Sequence, residues 1–168
     1  MKDRVGNWLH GDREIADFIG KGFIELFTSD LCLVSLANWN PLFWHTYLNE
    51  EEVTSVDFVV IEEEITTGIW GLKPFKAPGP NGLHAGFFQR FWLIVGETVK
   101  KEVNSNFAAG KIPKYLNKTL IMLIPKCKSP ETLNNYRPIS LCNTVYKVVT
   151  KIIVGHIRPF LSKLISPS

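Results

Sequence analysis

The sequence predicts an α+β fold that is mainly helical with one β-hairpin. Three observations carry this: apolar residues recur at three- and four-residue steps in several segments, a short run of strand formers is closed by proline, and a second such run follows across a polar turn. The 168 residues, 45% hydrophobic with a mean hydropathy of +0.04, are ordinary for a globular chain and long enough to bury a core.

The first helix is expected from Asp12, whose carboxylate is placed to cap the free amides. Ile15, Phe18, Ile19, Phe23, Leu26 and Phe27 form its apolar stripe. Gly20 and Gly22 each weaken it by about 1 kcal/mol relative to alanine. Leu31 to Asn49 shows no sustained period and reads as an irregular, partly buried connector. It is uncharged, but Asn38, Asn40, Pro41, His45 and Thr46 argue against a membrane span. Glu62, Glu63 and Glu64 then precede Ile65, Ile69 and Leu72, standing where a helix N-terminus favours negative charge.

Three prolines and two glycines between Lys73 and Gly82 forbid regular structure. Beyond that break, Phe87, Phe88, Phe91, Trp92 and Val95 make one helical face. A second helix is expected from Gly96, with Val99, Val103 and Phe107 along a seam and Gly110 as terminator. Leu120 to Ile124 reads as a buried strand closed by Pro125. Tyr136 to Leu141 pairs with it as a hairpin, Pro138 requiring an edge or a bulge. The last helix begins near Asn143 and carries Val145, Val148, Val149, Ile152, Ile153 and Ile157 on one face, with Pro159 breaking or restarting it.

The net charge of +3 conceals a division. Residues 1–70 hold 4 Lys/Arg against 13 Asp/Glu (net −9), whereas residues 71–168 hold 15 against 3 (net +12). A segment this basic is either a solvated lysine-rich surface or a surface for phosphate-bearing partners, RNA or DNA. The last aspartate is Asp57. Cys32, Cys127 and Cys142 are odd in number and irregularly spaced, which disfavours disulfides or zinc and fits a reducing intracellular compartment. His10, His45, His84 and His156 stand apart, without the spacing of a ligand set, and read as surface or structural residues.

Two features carry candidate chemistry. The loop around Lys76, Gly79 and Gly82 is either a structural turn or a place where backbone amides approach an anion, although it lacks the spacing of a nucleotide-hydrolysing P-loop. Lys126 and Arg137 flank the expected hairpin turn. Basic residues flank many hairpins, yet an ammonium beside a planar guanidinium also suits a polyphosphate.

The order of the motifs adds to this. KAPGPNG (76–82), GFFQRFW (86–92), LIPK (123–126) and NNYRPISLCNTVYK (134–147) together resemble the start of the reverse transcriptase domain of LINE-type non-LTR retrotransposons, plant members especially. The resemblance covers residues 61–168, a partial reverse transcriptase domain of the fingers type, and residues 1–60 resemble the connector-like helical region before it. It implies that Lys126 and Arg137 face the triphosphate of an incoming deoxynucleotide, and that Lys76, Gly79 and Gly82 lie against template RNA. Asn81 stands where the family usually has aspartate, so a side-chain acceptor for the turn is kept while the charge is lost. The family's magnesium-binding aspartates follow the R-P-I-S motif. No carboxylate follows Arg137 here, so the expectation is a truncated fragment with no catalytic residues, no metal site and no cofactor of its own, magnesium and deoxynucleotide belonging to a full-length polymerase. The alternatives are a stand-alone basic nucleic-acid-binding module and a protein-interaction scaffold.

Overall fold

The computed structural model describes residues 1–28, 48–56 and 59–165. The expected connector at Leu31 to Asn49 lies, but for its last two residues, outside them. The elements run α1 (Asp12–Phe27), α2 (Glu50–Val56), α3 (Glu62–Trp70), α4 (Ala85–Arg90), α5 (Trp92–Ala108), α6 (Lys114–Asn117), β1 (Thr119–Pro125), β2 (Tyr136–Cys142) and α7 (Thr144–Leu164). The fold is α+β, helical with one antiparallel hairpin. The chain groups into two compact units, one of Met1–Phe43 with Ile121–Ile139, the other of Trp44–Leu120 with Ser140–Ser168.

In the second unit α7 packs against α2, α3, α5 and α6. Its Val145, Val148, Val149 and Ile152 meet Ile65 and Ile69 of α3 and Val99 and Val103 of α5 in one apolar cluster. Ile65, Ile69, Val103 and Val148 are fully buried, each contributing roughly 1.5–3 kcal/mol of transfer free energy. Gly68 of α3 lies directly under Val148 and leaves room for the two helices to close. The helix ends follow local rules. Glu62, Glu63 and Glu64 occupy the first turn of α3 as the charge pattern requires, and Glu64 also accepts the Ile61 amide at 3.1 Å. Asn49 and Glu52 cap α2 reciprocally: the Asn49 side chain accepts the Glu52 amide at 2.7 Å and the Glu52 carboxylate accepts the Asn49 amide at 2.8 Å.

In the first unit α1 and the N-terminal residues meet the hairpin turn. The Lys2 amide donates to the Glu131 carbonyl at 2.6 Å, its ammonium pairs with the Glu131 carboxylate at 2.6 Å, and it lies 5.0 Å over the Trp8 ring. Gly22 is the residue against which the Leu133 side chain packs; a Cβ there would overlap it. The glycine that weakens α1 as a helix is therefore what admits the turn.

Four expectations are corrected. Asp12 does not cap α1: Gly11 is the capping residue without a side-chain bond, and Asp12 lies in the first turn, where its charge still suits the helix dipole. The second helix after the proline-rich break starts at Trp92 rather than Gly96, because Gly96 is buried inside α5 under the Trp92 ring. The strand around Leu120 to Ile124 is not buried: Leu120, Ile121, Met122 and Ile124 are each 42–50% exposed, in a sheet that has two strands among the described residues. Pro159 lies within α7 without ending it. It deprives the Gly155 carbonyl of its helical donor, but Gly155 is exposed, so that oxygen is not buried without a partner.

Candidate functional site

The hairpin sets the first pair of candidate residues. The Lys126 amide donates to the Asn135 carbonyl at 2.7 Å at the turn end, and Thr119 Oγ1 meets Cys142 Sγ at 3.6 Å at the other. These contacts define one continuous register in which Lys126 faces Asn135, Ile124 faces Arg137 and Leu123 faces Pro138. In the alternating antiparallel ladder, Pro138 then falls where its nitrogen points away from β1, so a residue with no donor fits without a bulge. Lys126 and Arg137 become diagonal neighbours on one face, a spacing of roughly 7–8 Å between Cα atoms. Both are exposed. The Lys126 ammonium donates to the Asn134 carbonyl at 2.7 Å and keeps further donors. Among the described residues no hydrogen bond or ion pair engages the Arg137 guanidinium.

A cleft of about 690 Å³ in the same unit is lined by Phe18, Phe23, Leu133, Tyr136, Arg4 and Lys126, among others. Lys126 lines it and Arg137 does not. Arg4 is paired there with Glu25.

The second candidate group lies in the other unit. Gly79-Pro80-Asn81-Gly82 forms a β-turn closed by the Gly82 amide on the Gly79 carbonyl at 3.0 Å, with proline and asparagine at the positions they favour. The Leu83 amide donates to Asn81 Oδ1 at 3.1 Å, so the expected side-chain acceptor is present. Gly82 has φ +74°, open to glycine at low cost. Gly79 is buried, and a Cβ there would overlap the Cys142–Asn143 backbone. The residue thus serves a close approach of two backbones. Lys76 is exposed.

What fastens this loop is a residue the sequence did not single out. Asn143, 4% exposed at the junction of β2 and α7, accepts the Asn81 amide at 3.2 Å and donates to the Tyr115 and Leu116 carbonyls, each at 3.2 Å. Its neighbour Thr144, 1% exposed, donates to the Leu83 carbonyl at 2.8 Å. Lys147, one turn into α7, donates to the Ala77 carbonyl at 3.4 Å. Lys73, Lys76, Lys147 and His84 thereby line a depression of about 240 Å³ together with Leu72, Ala77, Ala85 and Thr144. The sequence signals were that Asn143 starts the last helix and that Asn143 and Lys147 fall inside the longest motif.

Two of the described histidines make structural contacts, and His10 is exposed. His84 Nδ1 accepts the Phe87 amide at 3.2 Å and caps α4. His156 meets Glu64 at 2.7 Å. Among the described residues no three His, Cys, Asp or Glu side chains converge as metal ligands would. No described helix is long and apolar enough to cross a membrane.

No protein-family model matches the chain. Over 120 residues, 71% of its length, it is 28% identical to the Transposon TX1 uncharacterized 149 kDa protein of Xenopus laevis, of which it spans 9%. The similarity of these motifs' host chain to a transposon-encoded protein supports a retrotransposon-derived origin.

Proposed function

We propose that the chain is the fingers part of a reverse transcriptase of the non-LTR retrotransposon type. In this reading Lys126 and Arg137 engage the triphosphate of an incoming deoxynucleotide. Lys76 supplies charge to a loop that lies along template RNA, and Gly79 and Gly82 give that loop its shape. The observation that carries the reading is the hairpin register, which makes an exposed ammonium and an exposed guanidinium diagonal neighbours at the turn end, within reach of one polyphosphate. The transposon similarity and the order of the four motifs support it.

In this reading the chain supplies nucleotide and template contacts, while two-metal nucleotide transfer needs convergent carboxylates, of which residues 138–168 hold none. Incubation of the chain with a primed RNA template, deoxynucleotides and magnesium is expected to yield no extended primer. Joined to the palm of a transposon polymerase, the Arg137→Ala variant is expected to raise the KM for deoxynucleotide by roughly tenfold, the scale of a lost charged hydrogen bond, with template affinity within twofold. Equal loss of both would remove the nucleotide role from Arg137.

A further inference from the structure

We infer that Phe75, with Lys73, Lys76 and Lys147, forms a stacking site for single-stranded nucleic acid, in which a base lies on the Phe75 ring and the adjoining phosphates enter the lysine-lined depression. The inference rests on the proposed nucleic-acid role, in which Lys76 already figures, and adds Phe75, Lys73 and Lys147, to which the motif resemblance gives no role.

Phe75 is 86% exposed, and a single exposed apolar ring needs no explanation by itself. Its setting supplies one. It stands between Lys73 and Lys76 in the chain, and its ring centroid lies 5.6 Å from that of His84, which with those two lysines and Lys147 lines the depression. None of the residues lining it is acidic, and the sequence holds no carboxylate between Glu64 and Glu97, so the local field favours an anion. Lys151, on the same helix, lines the neighbouring depression with Glu63 and Glu64, its ammonium lying against Gly71 at the edge of this one. An aromatic face beside clustered ammonium groups is the arrangement by which proteins hold unpaired bases and their backbone. A duplex keeps its base faces stacked on each other and offers the ring nothing.

The test is fluorescence anisotropy of a fluorescein-labelled 12-nucleotide oligouridylate and of a duplex of equal length, titrated with the full chain at several salt concentrations. Phe75→Leu is expected to weaken oligouridylate binding roughly tenfold with an unchanged salt slope, and Phe75→Tyr to restore it. Lys147→Gln is expected to weaken binding and to lower the salt slope by about 0.7. Circular dichroism unchanged by Phe75→Leu, whose side chain is almost wholly in solvent, confirms that folding is not the cause. Oligouridylate binding that ignores both substitutions would overturn this site while leaving the fingers reading in place. Absence of any binding at low salt would overturn both. Equal loss of duplex and single-strand affinity in Phe75→Leu, or polyglutamate bound with the same dependence on Phe75, would show that the ring reads no base.

Discussion

Asn143 and Gly79 do the same work from opposite sides of one contact. Gly79 lets the proline-rich loop touch the backbone where β2 passes into α7, and Asn143 then bonds that loop to α6. Asn143→Ala leaves one amide and two carbonyls short of partners in a buried site, and is expected to cost about 3 kcal/mol in urea unfolding, the upper end for one lost polar group. Gly79→Ala must push two backbones apart and is expected to cost about 2 kcal/mol. Gly82→Ala, with open space around its Cβ but a positive φ, is expected to cost about 1 kcal/mol from conformation alone. At this scale the asparagine in the loop was legible, because an Asx turn needs only the local chain. Asn143 was not, because its partners lie 27 to 62 positions away in sequence.

At the scale of elements, periodicity located α1, α3, α5 and α7 and charge located the start of α3, but other boundaries depended on neighbours. α5 begins at Trp92, whose ring covers Gly96 one turn on, so the glycine that read as a helix start is a packing position inside the helix. β1 is exposed in a sheet that has two strands among the described residues, which a run of Leu and Ile cannot encode. α3 packs on α7 through their apolar faces, and Ile69→Ala is expected to destabilise the second unit by about 3 kcal/mol, since a fully buried isoleucine leaves a cavity. Acid is expected to loosen α2. The Lys163 ammonium, 2.5 Å from the Glu52 carboxylate, and the Asn49 amide hold that carboxyl below the ordinary glutamate value of 4.5. A group with a depressed folded pKa stabilises above its unfolded value and loses that contribution as pH falls through the folded one. Amide exchange in α2 is therefore expected to accelerate as pH falls below about 4.5, beyond the intrinsic pH dependence of exchange, and Glu52→Gln to flatten the change.

At the scale of the molecule, the two units differ in how much they bury. Among the described residues of the first, Phe23 is the one buried hydrophobic side chain, whereas the second holds a continuous apolar cluster. Amides of α3 and α7 are therefore expected to exchange slowest and those of α1 markedly faster, as measured by hydrogen exchange with mass spectrometry; equal protection would contradict this difference in burial. The division of charge also acquires a location, since the basic half of the sequence contains the loop, the hairpin and α7. The sequence by itself determined the helical character, the hairpin, the acidic start of α3 and the motif order, because each depends on residues near one another in the chain. Only the tertiary structure decided that Lys147 lies beside the Lys73–Lys76 loop, that Gly79 is a packing residue and that Arg137 stands outside the cleft lined by Lys126. Those placements depend on long-range packing and strand register, which set positions in space that local sequence leaves open.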